Sequence, residues 1–523
     1  MRVIKIFLLF VCCISLDVQS QTFLSDTLGI NEDGSVIIAK SLALPGWILG
    51  VDVDSTDNLL FIRYRNLSKN ETSLKNRGGI SVYSLADQRM LWQRPVNYFN
   101  QDPKLTSEGV LFVTMGKATS LLDLKTGNEV WKKKKMIPYW VDAKNRMFLA
   151  YKGSYMNGVS NELEGHSLAT GEKMWSRKMS HVYGWNESGL LDDSTRLIVS
   201  DGIHLVHMGN GEGPSYAMPT GASDYKEAVA LGALGVVTGV LTGFAAVPTG
   251  PKKVMELVSN VLSDDTVFYV ASRENLFCLD RQLQPKWGYP IPDGMGSRSH
   301  LFARGDSLYM INMGTGYRNT IFDTSEAYAH EYLRLKVGWP FIACFDKRKG
   351  EKVWFRQLSD KKEMVEELNW EEDALMVLFS DHIRKYSLSG DSLLSEVSWD
   401  TEVNGKLLYL TNSSYFLQDF GDSTSYQRYK RPDSIYCLIT DKNEMVELDQ
   451  QLNVLQTYPL SKLRTFKALP NGDNLIFLGD KTLWVNSKGE KKAYLYTSSK
   501  MFRVDEKFFI YSLDGKKIYE FPL

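Results

Sequence analysis

The chain has 523 residues, too many for one ordinary hydrophobic core, so it is either several domains or one repeat architecture that grows by adding units. Hydrophobic residues at 43%, aromatics at 12% and charged residues at 24% exclude a disordered or fibrous protein. With 61 basic and 62 acidic side chains, the net charge of -1 supplies no field to hold a nucleic acid or an anionic membrane, so no nucleic acid is expected as a partner.

The first element is a targeting segment. Arg2 and Lys5 precede an apolar run from Ile6 to about Leu16, and the small residues Val18 and Ser20 suit cleavage before Gln21. About eleven apolar residues cannot cross a bilayer core of roughly 30 Å. The expectation is a signal peptide over 1–20 and an exported protein, secreted, periplasmic or outer-membrane associated, with a bacterial route preferred. Lipidation at Cys12 stays open, although Val11 stands where a lipoprotein site wants a small residue. Residues 21–523 are then expected to form a single propeller domain, with an insertion at about 221–255. Cleavage leaves Cys278, Cys344 and Cys437, each in an apolar strand-like run and read as a buried small hydrophobe rather than part of a disulfide framework.

Ser35 to Leu42 alternates like a strand, and Asp52 to Asp57 reads as a hairpin turn, because it lacks the glycine and distal glutamate of a calcium loop. From residue 80 a unit recurs in which apolar alternation enters a polar turn and a second strand ends on tryptophan. The clearest copy is LLDLKTGNEVW, Leu121 to Trp131; others end on Trp92, Trp175, Trp287 and Trp354. Tryptophans 92, 131 and 175 recur at the period of a four-stranded propeller blade. Gly127, Gly171 and Gly350 supply the positive φ that a tight turn needs. Eroded copies run from Arg384 to Leu394, Val446 to Gln456 and Leu483 to Ala493. A last partial unit, 500–521, has three strand-like runs, and Ser35 to Leu42 is the candidate for its missing fourth strand, closing the ring.

The motif Ala-Leu-Asp-x-x-Thr-Gly-x-x-x-Trp resembles the blades of the quinoprotein alcohol dehydrogenase-like, PQQ-like repeat propellers, and Leu121 to Trp131 matches it almost position by position. The resemblance implies an all-β propeller of four-stranded antiparallel blades, about eight by the family's habit and up to ten by the units counted here. It implies that each tryptophan docks between successive blades. It also implies, for catalytic members, pyrroloquinoline quinone, a calcium ion held by carboxylate and amide side chains, a catalytic aspartate and a disulfide between adjacent cysteines. No adjacent pair follows the signal segment, and no catalytic residue carries over, so no cofactor is expected and quinone with calcium is kept as the alternative.

Three stretches break the repeat rhythm: about 211–255, 313–338 and 412–432. Loops on a rigid scaffold carry binding, and these offer a contact surface that includes Tyr317, Tyr328 and Tyr426. Residues 228–247 carry no charge, and Gly235, Gly239 and Gly243 fall at intervals of four. The expected reading is a Gly/Ala-rich helical excursion packed on the propeller; membrane or oligomer contact and misread strands stay open. Elsewhere, His204 and His207 would face opposite sides of a strand, which disfavours a metal site, and Gly209 to Gly213 is a turn without the lysine of a phosphate loop. The preferred function is a non-enzymatic scaffold that binds a protein partner or extracellular ligand through its face loops. The alternative is a divergent quinoprotein oxidoreductase or a glycan-active enzyme, to be distinguished by whether carboxylates converge in the central funnel.

Overall fold

The computed structural model describes residues 22–523 except 71–72, 116, 155–157, 225–251, 325–326, 360–362, 391, 411–414, 420–425, 431–434, 460–462, 465, 479–480, 498–499, 513–514 and 522–523. The described residues build ten four-stranded antiparallel blades, the upper end of the expected range. Eight are separate sheets, at 47–97, 101–134, 136–178, 187–217, 262–290, 299–357, 367–398 and 407–459. The ninth (466–495) and tenth (500–521) share one nine-stranded sheet with two N-terminal strands, β1 (Leu24–Asn31) and β2 (Val36–Ala43). Eight blades, the family's usual number, undercounts this chain, because the eroded copies still form complete sheets.

The missing strand of the tenth blade is β2, which pairs Ser41 with Tyr519, Leu42 with Ile518 and Ala43 with Lys517. β1 lies between β2 and the last strand of the ninth blade, pairing Gly29 with Leu495. One apolar cluster then joins Leu42 and Ile48 to Leu60, Phe509 and Ile518, tying the tenth blade to the first. A bond from Lys517 Nζ to Asp26 Oδ2 (2.6 Å) reinforces the join.

Within a blade the middle strands are apolar on both faces because neighbouring blades cover both. Val267–Ala271 and Ala374–Leu378 are buried at every residue. The outer strands alternate, and their tryptophans turn inward onto the following blade. Trp92 Nε1 donates to Leu124 O (2.7 Å), Trp131 Nε1 to Leu168 O (2.9 Å) and Trp175 Nε1 to Met208 O (2.7 Å). The glycine of the following turn lies under each ring. A Cβ at Gly127 would lie 2.7 Å from Trp92, at Gly171 2.6 Å from Trp131, at Gly211 2.4 Å from Trp175, and at Gly350 2.4 Å from Trp287. These glycines also hold φ between +67° and +76°, so one residue type meets both demands of the turn, left-handed backbone and no side chain. Trp354 instead packs with Tyr309, Tyr386 and Leu388, and Gly390 in the following turn has open space around it.

In the turns of the fifth and eighth blades, which follow outer strands without the docking tryptophan, leucine replaces the glycine, whereas the ninth blade keeps Gly489 (φ +88°). Leu283 (φ +57°) and Leu452 (φ +70°) hold the same left-handed position and are almost fully buried, each in an apolar cluster shared with the blade before it. The left-handed backbone costs about 1–2 kcal/mol for a residue with a Cβ, and burying a leucine side chain offsets it. Apolar clusters cross from blade to blade around the ring except between the eighth and ninth. There, among the described residues, Cys437, Ile439 and Met445 form one small cluster and Ile476, Leu483 and Val485 another. Cys278, Cys344 and Cys437 are all buried and none forms a disulfide.

Candidate functional site

Two of the interruptions in the repeat form one structure. Ala222–Asp224 and Lys252–Met255 come from the first, the hairpin Thr315–Thr324 and Ala327–Lys336 from the second, and together they make a four-stranded sheet in which Val254 pairs with Arg318 and Met255 with Tyr317. The third interruption forms a hairpin, Tyr415–Asp419 with Tyr426–Lys430, extended by Leu463–Arg464. The backbone places Tyr328 opposite Asp323 and Tyr426 opposite Asp419, on different sheets. Gly235, Gly239 and Gly243 lie outside the described residues, between β-strands whose paired residues Asp224 and Lys252 stand side by side. Among the described residues no helix is long and apolar enough to cross a membrane.

The inserted sheet meets the first strands of the fourth, sixth and seventh blades around a cavity of about 580 Å³. The first strand of the fifth blade, Leu262–Ser263, is only two residues long. Its wall is polar. Asn186 and Glu187 come from the start of the fourth blade, Glu256 to Asn260 from the linker into the fifth, Arg298 and His300 from the sixth, Tyr317 and Arg334 from the inserted hairpin, and Glu366, Glu367 and Trp370 from the seventh.

Both guanidiniums are already held. Arg298 pairs with Glu256 at 3.3 Å, donates to Tyr317 Oη at 3.1 Å and lies 5.4 Å from the centre of its ring. Arg334 pairs with the Glu366 carboxylate and donates to Thr315 Oγ1 (3.2 Å) and Val365 O. Asn260 mimics a strand, donating to Leu301 O (3.1 Å) and accepting from Leu301 N–H (2.7 Å). Glu187 and Glu367 pair with no cation among the described residues. Burial raises the Glu187 carboxyl above its ordinary range against one N–H bond from Val261 (2.8 Å), and burial alone raises Glu367. His300 is pushed down by burial and then by Arg298. Glu256 holds φ +60°, a strained backbone of the kind that accumulates at binding sites.

Four glutamates, Glu187, Glu256, Glu366 and Glu367, therefore line one cavity, and Tyr317 is the wall residue that the sequence singles out as a contact candidate. Nothing in their spacing links Glu187, Glu256 and Glu367; the available signal was the pair of long interruptions. The predicted histidines separate as expected, His204 buried against Ser215 Oγ (2.7 Å) and His207 exposed. Burial first, then Arg177, pushes His204 down to about 4. One group with metal-ligand geometry occurs among the described residues, Glu363, Asp381 and His382, whose ligand atoms lie within 4.8 Å of one another; none of the three lines the cavity.

Residues 50–284, just under half of the chain, match a family model described as outer membrane protein assembly factor BamB. No curated protein matches. Among solved structures, BamB from Moraxella catarrhalis is similar at 11% identity, with 90% of this chain and 100% of that one covered and a TM-score of 0.32. Quinohemoprotein alcohol dehydrogenase ADHIIG from Pseudomonas putida HK5 gives 10% identity, 78% and 72% coverage and a TM-score of 0.31. The computationally designed Ika8 protein gives 8%, 76% and 96%, and 0.29. Scores this low carry no argument about function.

The residues present do not fit the quinone and its ion. The described cysteines sit on three different blades, so none can form the disulfide between neighbours that flanks the quinone in the enzymes. In the cavity, both ends of the Asn260 amide are engaged by Leu301, and Glu256 and Glu366 are engaged by guanidiniums.

Proposed function

Taking the chain as the PQQ-like repeat β-propeller that its repeats and blades make it, we propose that it is an exported, non-enzymatic scaffold that receives a protein partner at the polar cavity beneath the inserted sheet. The observation that carries this reading is the cavity itself. A rigid ring presents a concave site of about 580 Å³ whose wall joins three blades to a sheet that interrupts the repeat. Rigid scaffolds place binding residues on such insertions. The raised carboxyls of Glu187 and Glu367 favour one second reading, an acid-base enzyme acting on glycans, since glycoside chemistry draws its general acid from a carboxyl shifted upward.

Photo-crosslinking residues placed at Tyr317 and Trp370, with Val353 on an outer strand as control, test the reading in the cell that makes the protein. One protein crosslinked from the two cavity positions and absent from Val353 is the expected result. Equal capture at Val353 would overturn it, as would stoichiometric uptake of pyrroloquinoline quinone and calcium in native mass spectrometry. Hydrolysis of a glycan abolished by Glu367→Gln would replace it with the second reading.

A further inference from the structure

The geometry points to a divalent metal site, zinc by its ligand set, held by Glu363, Asp381 and His382 at the entry to the seventh blade and independent of whatever occupies the cavity. The ligand atoms of the three side chains lie within 4.8 Å of one another, near enough for one ion to draw together. They come from two segments. Glu363 lies on the linker before the first strand of the blade, Glu367–Trp370, while Asp381 and His382 stand where the second strand turns into the third, His382–Ser387. The register that pairs Glu367 with Leu378, carried four residues outward, brings Glu363 level with His382. Glu363 is 8% exposed and the His382 side chain 11%, so neither is an ordinary surface group.

A second observation does not depend on this convergence. His382 Nδ1 lies 2.7 Å from Asp381 Oδ1, which places the ring proton on Nδ1 and makes Nε2 an acceptor. That Nε2 is closed to solvent and has no hydrogen-bond partner. A buried acceptor without a donor is costly, and a metal ion takes up its lone pair. A carboxylate behind the other ring nitrogen is the usual support of a metal-bound imidazole, because it fixes the tautomer and raises the basicity. The ring is also held in place. It stacks on Phe379 with centroids 4.2 Å apart, and the turn is pinned by bonds from Phe379 N–H to His382 O (2.9 Å) and from Trp399 N–H to Asp381 O (2.8 Å). His181 Nδ1 and His204 Nε2 lack partners too, but among the described residues neither belongs to a group of metal ligands. One imidazole and two carboxylates suit zinc, which leaves a fourth position for water, whereas calcium prefers oxygen alone. Three residues beyond Glu363, Glu366 holds Arg334 on the cavity wall, so the ion staples the linker that feeds that wall to the body of the blade.

Isothermal titration of zinc chloride into the metal-stripped full chain, with thermal melts alongside, tests the inference. One saturable zinc per chain and a melting temperature that rises with zinc are expected. Glu363→Gln and His382→Gln are each expected to weaken zinc by about tenfold or more, Asp381→Asn by about tenfold, and His207→Gln, at an exposed position, not at all. Glu363→Gln keeps the shape of the side chain, so it carries the test even where His382→Gln fails to fold. Cobalt in place of zinc adds a readout that a purely structural role does not move, visible absorption bands that Glu363→Gln shifts or abolishes. Unchanged zinc affinity and cobalt bands in Glu363→Gln would overturn the inference, as would several weakly held ions without saturation, which would mark adventitious binding only.

Discussion

The first three blades and the seventh to ninth perform the same closure with different parts. In the first three, a tryptophan on one outer strand lies over a glycine in the next turn and donates to the carbonyl three residues before that glycine. In the later blades the register places Ser395 and Gln456 at the corresponding positions, the first half-buried and the second exposed, and the turn after Ser395 carries a buried Leu452 in place of glycine. The contact survives with its donor and receiver exchanged: a large side chain from one blade into a gap on the next, or from the turn back into the gap left by the missing ring. What the propeller requires at each join is filled volume, and the repeat motif is one of two ways to provide it.

The comparison breaks most visibly at Trp131. Trp131→Ala is expected to cost about 3–5 kcal/mol in denaturant unfolding, through the lost ring and the cavity it leaves. Ser395→Ala, at the equivalent half-buried position, is expected to change stability by less than about 0.5 kcal/mol. Comparable losses at both would show that the two halves close alike.

Leu283 sharpens the exchange of roles. Leu283→Ala is expected to cost about 2–4 kcal/mol, as for other buried leucines, although the residue sits in a turn. A neutral result would mean that the leucine does not fill the tryptophan's space.

The smallest expected effect concerns acid. In the strong repeat, the Thr126 hydroxyl, against burial, and the Thr126 and Lys125 N–H groups hold the Asp123 carboxyl below the ordinary range. Its stabilisation is fully present above the unfolded pKa of about 3.9 and disappears as pH falls through the lowered folded value. Asp123→Ala is therefore expected to cost about 1 kcal/mol at pH 6 and nearly nothing at pH 2, read as the gap between melting curves. The turn of the seventh blade, with Ser387 at that position, has no such dependence.

Much of this was legible in the residues. The tryptophan–glycine spacing marks the strong blades, and three strand-like runs without a fourth at 500–521 pointed to Ser35 to Leu42 before any pairing was known. Leu283 and Leu452 were not legible as substitutes for glycine, because a leucine in a left-handed turn has no local propensity to reveal it. The cavity was hidden for a different reason. Its wall combines two insertions far apart in sequence, and which insertion pairs with which is decided by the ring, not by either segment. Tyr317 was chosen as an aromatic in a loop, while its neighbours Glu256, Arg298 and Glu367 sit in stretches that look like ordinary polar linkers.

The strand that finishes the ring is among the first to be made. Asp26 and Lys517 are 491 positions apart, so the hairpin of β1 and β2 must wait, with both outer edges unpaired, while the rest of the chain emerges. Its exposed Leu24, Val36 and Ile38 make that waiting edge adhesive. The ring is therefore a clasp whose first half stays open throughout synthesis, and a chaperone that shields residues 24–43 would govern whether the molecule closes on itself or on a neighbour.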